Sequence, residues 1–589
     1  MSAPFTRAEI FPEGSPPESG AYIERGRALA RSVGVGPSAF LKAYGAESEA
    51  AYKRRRADEG ALMLHAQIGY RDPDKSRRAW AEIHGALDKA GGRLDRYGIC
   101  LDWSMGYPRT ERTEGRRGTG LILAEPEDFA ALTAEAPVAP HFGDFVIGLP
   151  AALENTAAAL AAGATTIGNL GQYFTFRLPG WPDDIRTTGA TLEALALCAA
   201  QPIEILIHSN LDDGFAALFC DLACAFGAVL LERHIVEELL GGSMAHCYGH
   251  SFSDPLTRLA FQRALSLMPG APGSMIYGNT VAYREDRSGN YAALGSYLMV
   301  DAVGQRLAPT GHALNPVPVS EAERIPDIDE VIDAQLFALR LIERSETFAP
   351  LVDCGAADEI ARRLLDGGEA FKQRVLAGLA AAGIEVDEPF ELLLALRRIG
   401  AKRLEEAFGP GSPEPSQPRS RRPLVKATTI AELERQAEDS VTALKGAQRD
   451  AIAGAGLTAC VASTDVHEYG KILIEEIFKR LGVSLADAGV HAEAGDLAAL
   501  ARDGGADLIA VSTYNGVALD YLTALQKELA ARALDLPVLI GGKLNQIPDQ
   551  SNSSLPRDVT REIQARGAVA CQGPDALFAV LLRLAGQDQ

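Results

Sequence analysis

Residues with the types and spacing of a cofactor-binding or metal-binding site occur in the C-terminal part of the chain. The hexapeptide DVHEYG, at 465–470, follows a short apolar run and places a histidine two residues after an aspartate. A histidine just beyond a strand can bind a metal through one ring nitrogen, while a neighbouring carboxylate accepts a hydrogen bond from the other nitrogen. In this pattern His467 is the candidate ligand and Asp465 is its hydrogen-bond acceptor.

Hydroxylated and small residues follow the next apolar runs. Ser512 and Thr513 supply short hydroxyl groups for a buried polar part of a ligand, while Gly470, Gly541 and Gly542 leave room for a bulky one. No second or third metal ligand occurs in the sequence at the spacing of a zinc site, which argues against a tetrahedral metal held by side chains. A single histidine suits a metal whose other positions are already filled, as in a macrocycle.

The elements around these residues are predicted to alternate between strand and helix. Apolar runs at 456–464, 506–513, 536–542 and 567–575 predict strands, and the segments between them have apolar residues at helical spacing. This alternation predicts a parallel doubly wound sheet, flavodoxin-like or Rossmann-like, which binds its ligand outside the carboxyl ends of the strands.

The first 408 residues contain eight further apolar runs that predict strands, separated by segments with helical spacing. These runs lie at 61–69, 96–104, 143–150, 165–173, 203–210, 243–250, 273–280 and 311–319. Eight strands alternating with helices are typical of an α/β fold of the (β/α)₈ TIM-barrel type. A doubly wound open sheet is the alternative, because periodicity cannot show closure.

Polar and aromatic residues crowd the downstream ends of these eight runs. In a barrel those ends form one mouth, where the substrate is expected to bind. The candidate catalytic residues at this mouth are His65, Asn169, Tyr173, His208, His246 and Tyr277. Any single histidine here is at least as easily explained as a structural side chain, so the hypothesis rests on the clustering.

The segment 410–423, PGSPEPSQPRSRRP, separates the two regions and has five prolines and almost no apolar residue. Such a composition predicts a semi-rigid exposed linker, with a plain surface loop as the alternative. We therefore predict a catalytic barrel with an N-terminal arm and a helical extension over 1–408, a linker over 409–427, and a cofactor-binding domain over 428–589.

The composition excludes several classes of partner. Lysine and arginine number 57 against 78 aspartates and glutamates, and the net charge of −21 disfavours binding to nucleic acid. The first residues lack the pattern of a signal peptide, and the most apolar stretch is interrupted by Asp221, so no membrane association is expected. Eight cysteines without a regular framework indicate reduced thiols and a cytoplasmic location.

The hexapeptide resembles the Asp-x-His-x-x-Gly signature of cobalamin-binding domains, and the later Ser-Thr and Gly-Gly pairs are similar to elements that follow it in that family. The resemblance covers essentially all of 456–585. It implies that His467 replaces the dimethylbenzimidazole of the cofactor as the lower cobalt ligand, with Asp465 as its hydrogen-bond partner. It also implies that Ser512, Gly541 and Gly542 line the slot for the displaced nucleotide tail.

A cobalamin domain joined to a barrel resembles the carbon-skeleton mutases, in which a closed barrel mouth shields a radical reaction from solvent. The barrel is most similar to the large subunit of glutamate mutase at 167–179, IGNLGQYFTFRLP. Two departures argue against glutamate as the substrate. The glutamate that receives the substrate ammonium in that family falls on Leu170, and the arginines that hold the carboxylates fall near Ile68, Gly106 and Gly148.

The resemblance implies an adenosylcobalamin-dependent mutase that performs a radical 1,2-rearrangement on a small, non-glutamate substrate. Other arginines could hold an acidic substrate: Arg109, Arg116, Arg117, Arg177 and Arg284. Without them, the mouth would suit a neutral or hydroxylated molecule. Relatives assemble around two barrels, so a homodimer is expected.

Two alternatives remain for the function. A corrinoid methyltransferase would need a cap of four helices directly before the cobalamin sheet, whereas one helix, at about 428–449, is predicted there. The helices predicted at 325–408 weaken this objection without removing it. A non-enzymatic cobalamin-binding regulator would account for the C-terminal domain but would leave the eight strands and their polar ends without a role.

Overall fold

The computed structural model describes residues 4–587 except 113–117, 119, 213–218, 269, 279, 281–282, 284–285, 323, 416, 466, 515 and 547–556. The chain divides into two compact units, the first running to Thr428 and the second beginning at Thr429. In the described part of the chain, we find no helix with the length and apolar character needed to cross a membrane.

Eight short parallel strands form the centre of the first unit. Six of them form one sheet in sequence order: β1 (His65–Ile68), β2 (Arg96–Ile99), β3 (Ala139–Phe142), β4 (Thr166–Ile167), β5 (Leu206–Asn210) and β6 (Ser243–Cys247). The other two, β7 (Met275–Ile276) and β8 (Ala313–Leu314), form a parallel pair. Isolated parallel bridges join Tyr248 to Ile276 and Leu64 to Leu314. The first unit is thus mixed α/β with parallel sheets, and its closure into a barrel stays a prediction.

Helices connect and surround these strands. They are α1 (Arg7–Ile10), α2 (Gly20–Leu29), α3 (Ala39–Tyr44), α4 (Glu49–Asp58), α5 (Pro73–Lys89), α6 (Pro126–Thr133), α7 (Ala152–Ala161), α8 (Gln172–Thr175), α9 (Asp184–Ala199), α10 (Leu222–Arg233), α11 (Pro255–Ser266), α12 (Arg287–Leu307), α13 (Ile328–Phe348), α14 (Gly355–Ala381) and α15 (Pro389–Phe408). The last three form the helical extension predicted after the strands.

The third predicted strand is wrong. The strand is Ala139–Phe142, four residues before the predicted run, and 143–150 forms a loop. The loop contains Gly148 at φ +91°, where a side chain would also collide with the backbone nitrogen of Tyr173. The apolar residues of this run are buried against the core, so they mimic a strand in the sequence without forming one.

The two faces of the six-stranded sheet have different environments. Paired residues in the register lie on the same face, and the register pairs His65 with Arg96 and Gly98 with His141. This face is therefore polar. On the other face Tyr97 lies against the tryptophan of α5, with ring centroids 4.4 Å apart. Helices cover that second face.

Helices α3 and α4 cover the polar face at the amino-terminal ends of the strands. Phe40 and Tyr52 pack in one apolar cluster with Ala139, Met275 and Ala313, which begin β3, β7 and β8. The N-terminal arm therefore seals one end of the strand set, and the carboxyl ends are left to the loops that carry the candidate site.

The second unit contains the predicted parallel doubly wound sheet. Its strands are β9 (Thr458–Ser463), β10 (Ser484–Asp487), β11 (Leu508–Thr513), β12 (Val538–Gly542), and β15 (Val569–Cys571), in the order β10-β9-β11-β12-β15. A small antiparallel pair, β13 (Asn545–Gln546) and β14 (Arg557–Asp558), lies between the last two in sequence. This order is flavodoxin-like. The edge strand β10 was not predicted, because its residues are partly exposed and show no apolar run.

The helices of the second unit are α16 (Thr428–Thr442), α17 (Gly446–Gly454), α18 (Tyr469–Arg480), α19 (Ala494–Asp503), α20 (Ala518–Ala531), α21 (Thr560–Ala565) and α22 (Pro574–Leu584). The single helix predicted at 428–449 is wrong. The first helix ends at Thr442 and a second begins at Gly446, so two helices precede β9.

The proline-rich segment is bonded to the first unit. Pro413 and Arg421 form an antiparallel bridge, and the Arg421 guanidinium donates to the carbonyl of Glu406 at 2.7 Å. The Asp221 carboxylate accepts the backbone N–H of Leu424 at 2.8 Å. Proline has no backbone donor, so these charged side chains supply the bonds that hold the segment.

Candidate functional site

The candidate cofactor site of the second unit lies at the carboxyl ends of its central strands. Asp465 follows β9 and is fully buried. Its Oδ1 accepts two hydrogen bonds from His467, one from ring Nδ1 at 2.5 Å and one from the backbone N–H at 2.9 Å. Its Oδ2 accepts the backbone N–H of Tyr514, beyond β11, at 3.2 Å. The carboxylate therefore joins the loops after two neighbouring strands.

These contacts determine the charge of the pair. Burial raises the pKa of Asp465, but the neighbouring His467 charge and its two hydrogen bonds outweigh burial and lower the pKa to about 2. An ionised carboxylate can only accept, so Nδ1 of His467 carries a proton. In the neutral form of the ring, the lone pair is then on Nε2. The ring is 21 % exposed and lies on the Tyr514 ring, with centroids 4.2 Å apart. This is the arrangement that a histidine metal ligand requires.

Ser512, Thr513 and the glycines lie at the same sheet edge as this pair, and the glycines leave their side-chain space open. Ser512 pairs with Gly541 and Thr513 with Gly542 across β11 and β12. A Cβ on Gly470 would lie 2.6 Å from the Ser512 hydroxyl oxygen. The register thus brings together at one sheet edge residues that lie far apart in sequence.

The chemistry of this space fits a ligand with a polar part. The hydroxyl oxygen of Thr513 is buried, and no described residue gives it a hydrogen bond. A buried hydroxyl without a partner is costly, so a polar ligand atom there would compensate it. Gly542 has φ +90°, and a Cβ there would lie 2.2 Å from the Thr513 carbonyl oxygen. Only glycine allows this backbone approach.

In the first unit, the structure brings His65 and His208 together on the polar face of the sheet, with His141 between them. The rings of His141 and His208 meet edge to face, with centroids 4.3 Å apart. Burial, followed by the charge of Arg96, lowers the pKa of all three imidazoles well below the usual range. They are therefore neutral at physiological pH.

Asn169 and Tyr173 follow β4 and take part in the local structure. The side-chain oxygen of Asn169 accepts the backbone N–H of Gly171 at 2.9 Å and of Asn210 at 2.8 Å, which ties the ends of β4 and β5 together. Tyr173 lies buried in α8, and its carbonyl accepts Nη1 of Arg397 at 2.6 Å. Burial raises the pKa of the Tyr173 phenol well above its usual range.

Tyr277 and His246 occupy different surroundings. Tyr277 follows β7, and its ring lies 4.1 Å from the ring of His250, which follows β6. His246 instead lines a cavity of about 330 Å³ with Lys53, Gly311 and other residues that precede the strands. Besides burial, His246 nevertheless contributes to the lowered pKa of His208, so these two candidates interact electrostatically.

A buried charged group beneath the histidines was not predicted. The Arg96 guanidinium donates to Glu49 at 2.7 Å and to Nδ1 of His65 at 3.2 Å. The Lys53 ammonium donates to the carbonyls of Ser274 and Gly311, and burial lowers the pKa of Lys53 to about 7. The spacing of Glu49 and Lys53, one helical turn apart on α4, was the available signal. Nothing in the sequence marks that turn as buried.

Two of the five candidate arginines, Arg109 and Arg177, lie within the described residues. The Arg177 guanidinium donates to the carbonyls of Tyr173, Phe176 and Arg397. A side-chain nitrogen of Arg109 lies 3.5 Å from a carboxylate oxygen of Glu125. The remaining three candidates lie outside the described residues: Arg116, Arg117 and Arg284.

Comparison with known proteins identifies the class of the second unit. The family model of the B12 binding domain matches residues 455–562. No curated protein matches the chain. A solved structure of a cobalamin-binding protein from Desulfitobacterium hafniense DCB-2 is similar at 20% identity and a TM-score of 0.18, over 22% of this chain and 58% of that chain. This chain thus spans less than two thirds of that protein. The family match supports a cobalamin-binding protein with a B12-type cofactor.

Proposed function

We propose that the protein is an adenosylcobalamin-dependent mutase, which performs a radical 1,2-rearrangement on a small substrate other than glutamate. The observation that carries the proposal is the bonded pair of His467 and Asp465 at the carboxyl edge of a B12-binding sheet. The same chain contains an α/β unit with eight parallel strands, which is the expected partner of such a domain in a mutase.

We also propose that these eight strands close into a (β/α)₈ barrel. The bridge between Tyr248 and Ile276 extends β6 toward β7, and the bridge between Leu64 and Leu314 links β8 back to the start of β1. Together with the pairings inside the six-stranded sheet and between β7 and β8, these two bridges link each strand to the next and β8 back to β1. A barrel would place the candidate residues at one mouth.

Different residues of the second unit would hold different parts of the cofactor. His467 would be the cobalt ligand, and Asp465 fixes its Nδ1 proton and ring orientation. The nucleotide tail would be accommodated by the hydroxyl and glycine positions: Gly470, Ser512, Thr513, Gly541 and Gly542. When bound, the cofactor supplies the radical chemistry that the rearrangement needs.

The residues of the first unit would bind the substrate, orient it and exclude water. Neutral His208 can exchange a hydrogen bond with a substrate through the ring nitrogen that is not bonded to Ser274, while His65, bonded at both ring nitrogens, would shape the surface beside it. Tyr277 would line the mouth, while Asn169 and Tyr173 position the loop after β4. Leu170 stands where glutamate mutase has the carboxylate that receives the substrate ammonium. Because the leucine side chain is apolar and fully buried, it cannot bind an ammonium group.

Methyl transfer is less well supported. All of 428–457 is described, and it contains two helices before β9 where a methyltransferase cap would need four. A purely regulatory role would leave the buried polar face of the first unit unexplained, since burying such groups is costly.

The proposal is tested by electron paramagnetic resonance on the full-length protein reconstituted with adenosylcobalamin. Mixing with small hydroxylated or carboxylated substrates should produce a paramagnetic signal with at least one of them, and L-glutamate should produce none. A sample that stays silent with every substrate but removes the methyl group of methylcobalamin would favour methyl transfer instead.

A further inference from the structure

Three glycines on neighbouring strands make room for the three histidines of the polar face. A Cβ on Gly98 would lie 2.8 Å from Nε2 of His65, and a Cβ on Gly168 would lie 2.7 Å from the ring of His208. A Cβ on Gly143, just beyond β3, would lie 2.3 Å from Nε2 of His141. Each ring therefore occupies space on the polar face that an ordinary side chain would fill.

All three rings are held by a neighbour through Nδ1, and His65 is also held through Nε2. His65 accepts from Arg96 at Nδ1, so its Nε2–H donates to Gln67 Oε1 at 2.9 Å. His208 is bonded through Nδ1 to the hydroxyl of Ser274 at 2.8 Å. Among these rings, both nitrogens of His65 thus have protein partners.

His141 differs in the direction of its bonds. Its Nδ1 lies 3.2 Å from the carbonyl oxygen of Thr166, which can only accept, so the ring proton is on Nδ1. The lone pair is then on Nε2, which points past Gly143 toward the carboxyl end of β3. No described residue hydrogen-bonds this nitrogen, although the side chain is 1 % exposed.

The charges nearby restrict what this lone pair can receive. Arg96 is cationic, burial lowers the pKa of Lys53 to about 7, and Glu49 is the carboxylate paired with both side chains. Burial and the Arg96 charge lower the pKa of His141 well below its usual range, so the ring stays neutral and cannot donate from Nε2. The same positive charge opposes an ammonium group, and a lone pair repels a carboxylate.

We propose that Nε2 of His141 accepts a hydrogen bond from a hydroxyl or a primary amide of the substrate and so selects for a neutral donor. This inference rests on the proposed function, because it takes the bound molecule to be the substrate of the mutase. His141 is a residue that the strand prediction missed, because the predicted run began two positions after it.

Two substitutions separate the roles of the two ring nitrogens. Asparagine in His141→Asn can keep the bond to the Thr166 carbonyl but has no atom at the Nε2 position, whereas His141→Gln restores a polar acceptor there. The probes are propanamide, which donates, and propanoate, which has the same shape but only accepts. Their binding to the full-length protein is measured by ligand-observed NMR, with the histidine ring nitrogens labelled with ¹⁵N.

The wild-type protein should bind propanamide about tenfold more tightly than propanoate, as one hydrogen bond allows. Propanamide should also shift the His141 Nε2 resonance. His141→Asn should lose that preference, and His141→Gln should keep most of it. Equal binding of the two probes, an unmoved Nε2 resonance, or equal losses in both variants would overturn the proposal.

Failure here is distinguishable from failure of the mutase proposal. Neither probe requires cobalamin, so the cofactor spectrum and the paramagnetic signal are independent readouts. Equal binding of the two probes by the wild-type protein, together with an intact substrate-dependent signal, would reject the role of His141 alone.

Discussion

Asp465 and His467 are bonded twice through one carboxylate oxygen, which accepts ring Nδ1 at 2.5 Å and the backbone N–H at 2.9 Å. The second bond fixes the turn that carries the histidine, and the first fixes the ring within that turn. The ring of His467 is therefore oriented before any ligand binds, which would reduce the entropic cost of binding to it.

Asp465→Asn should weaken cobalamin binding by about 10- to 100-fold, since a ligand histidine that loses its carboxylate partner loses basicity and orientation. The matched control is Asp503→Asn, which removes an exposed carboxylate at the end of α19. Titration with cobalamin, followed by absorbance, gives both affinities. Equal affinities for the two variants would contradict the role of Asp465.

Acid should destabilise the second unit through the same carboxylate. The pKa of Asp465 is lowered from 3.8 to about 2 in the folded protein, so its contribution is fully present above pH 4 and is lost as the pH falls toward 2. The contribution is about 2 kcal/mol. Urea unfolding of the cobalamin-free protein should therefore show a flatter pH dependence in Asp465→Asn over this window. A slope identical to that of the wild type would show that another group is responsible.

Gly470→Ala should impair cobalamin binding more than it impairs folding. The added Cβ would lie 2.6 Å from the Ser512 hydroxyl oxygen, which can rotate away at a cost of about 1 kcal/mol. That rotation would fill the space beside His467. The control is Gly446→Ala at the start of α17, where a Cβ meets nothing within 4 Å. Cobalamin titration and thermal unfolding of both variants test this, and unchanged affinity in Gly470→Ala would remove Gly470 from the site.

Arg96→Met should destabilise the first unit by about 3 kcal/mol, because it leaves the buried carboxylate of Glu49 with less compensation. Adding Glu49→Gln should recover part of the loss, since the uncompensated charge is then gone. Denaturant unfolding of the single and double variants measures the coupling. Strictly additive losses would mean that the two side chains do not act as a pair.

The residues at the tips of the second unit's strands could be placed from the sequence because they follow their strands directly, and their role in binding a cofactor stays a prediction. Asp465 lies two positions after β9, and the Gly541–Gly542 pair ends β12, so each strand prediction also located the residues at its tip. The edge strand β10 was not predicted because its half-exposed residues do not form an apolar run.

The buried charges of the first unit could not be predicted in this way. Arg96 and Glu49 are 47 positions apart, and their contact exists only because α4 packs across the start of β2. The strand that carries His141 was missed for a different reason. The apolar loop after β3 resembles a strand more closely than the short strand that carries the histidine.

The most direct test of the account is the absorption spectrum of the full-length protein reconstituted with adenosylcobalamin. The wild type should show the spectrum of cobalamin with its dimethylbenzimidazole displaced by histidine. His467→Ala should lose this spectrum, while the control His84→Ala, on α5 of the first unit, should keep it. An unchanged histidine-ligated spectrum in His467→Ala would contradict the assignment of the cobalt ligand and the account built on it.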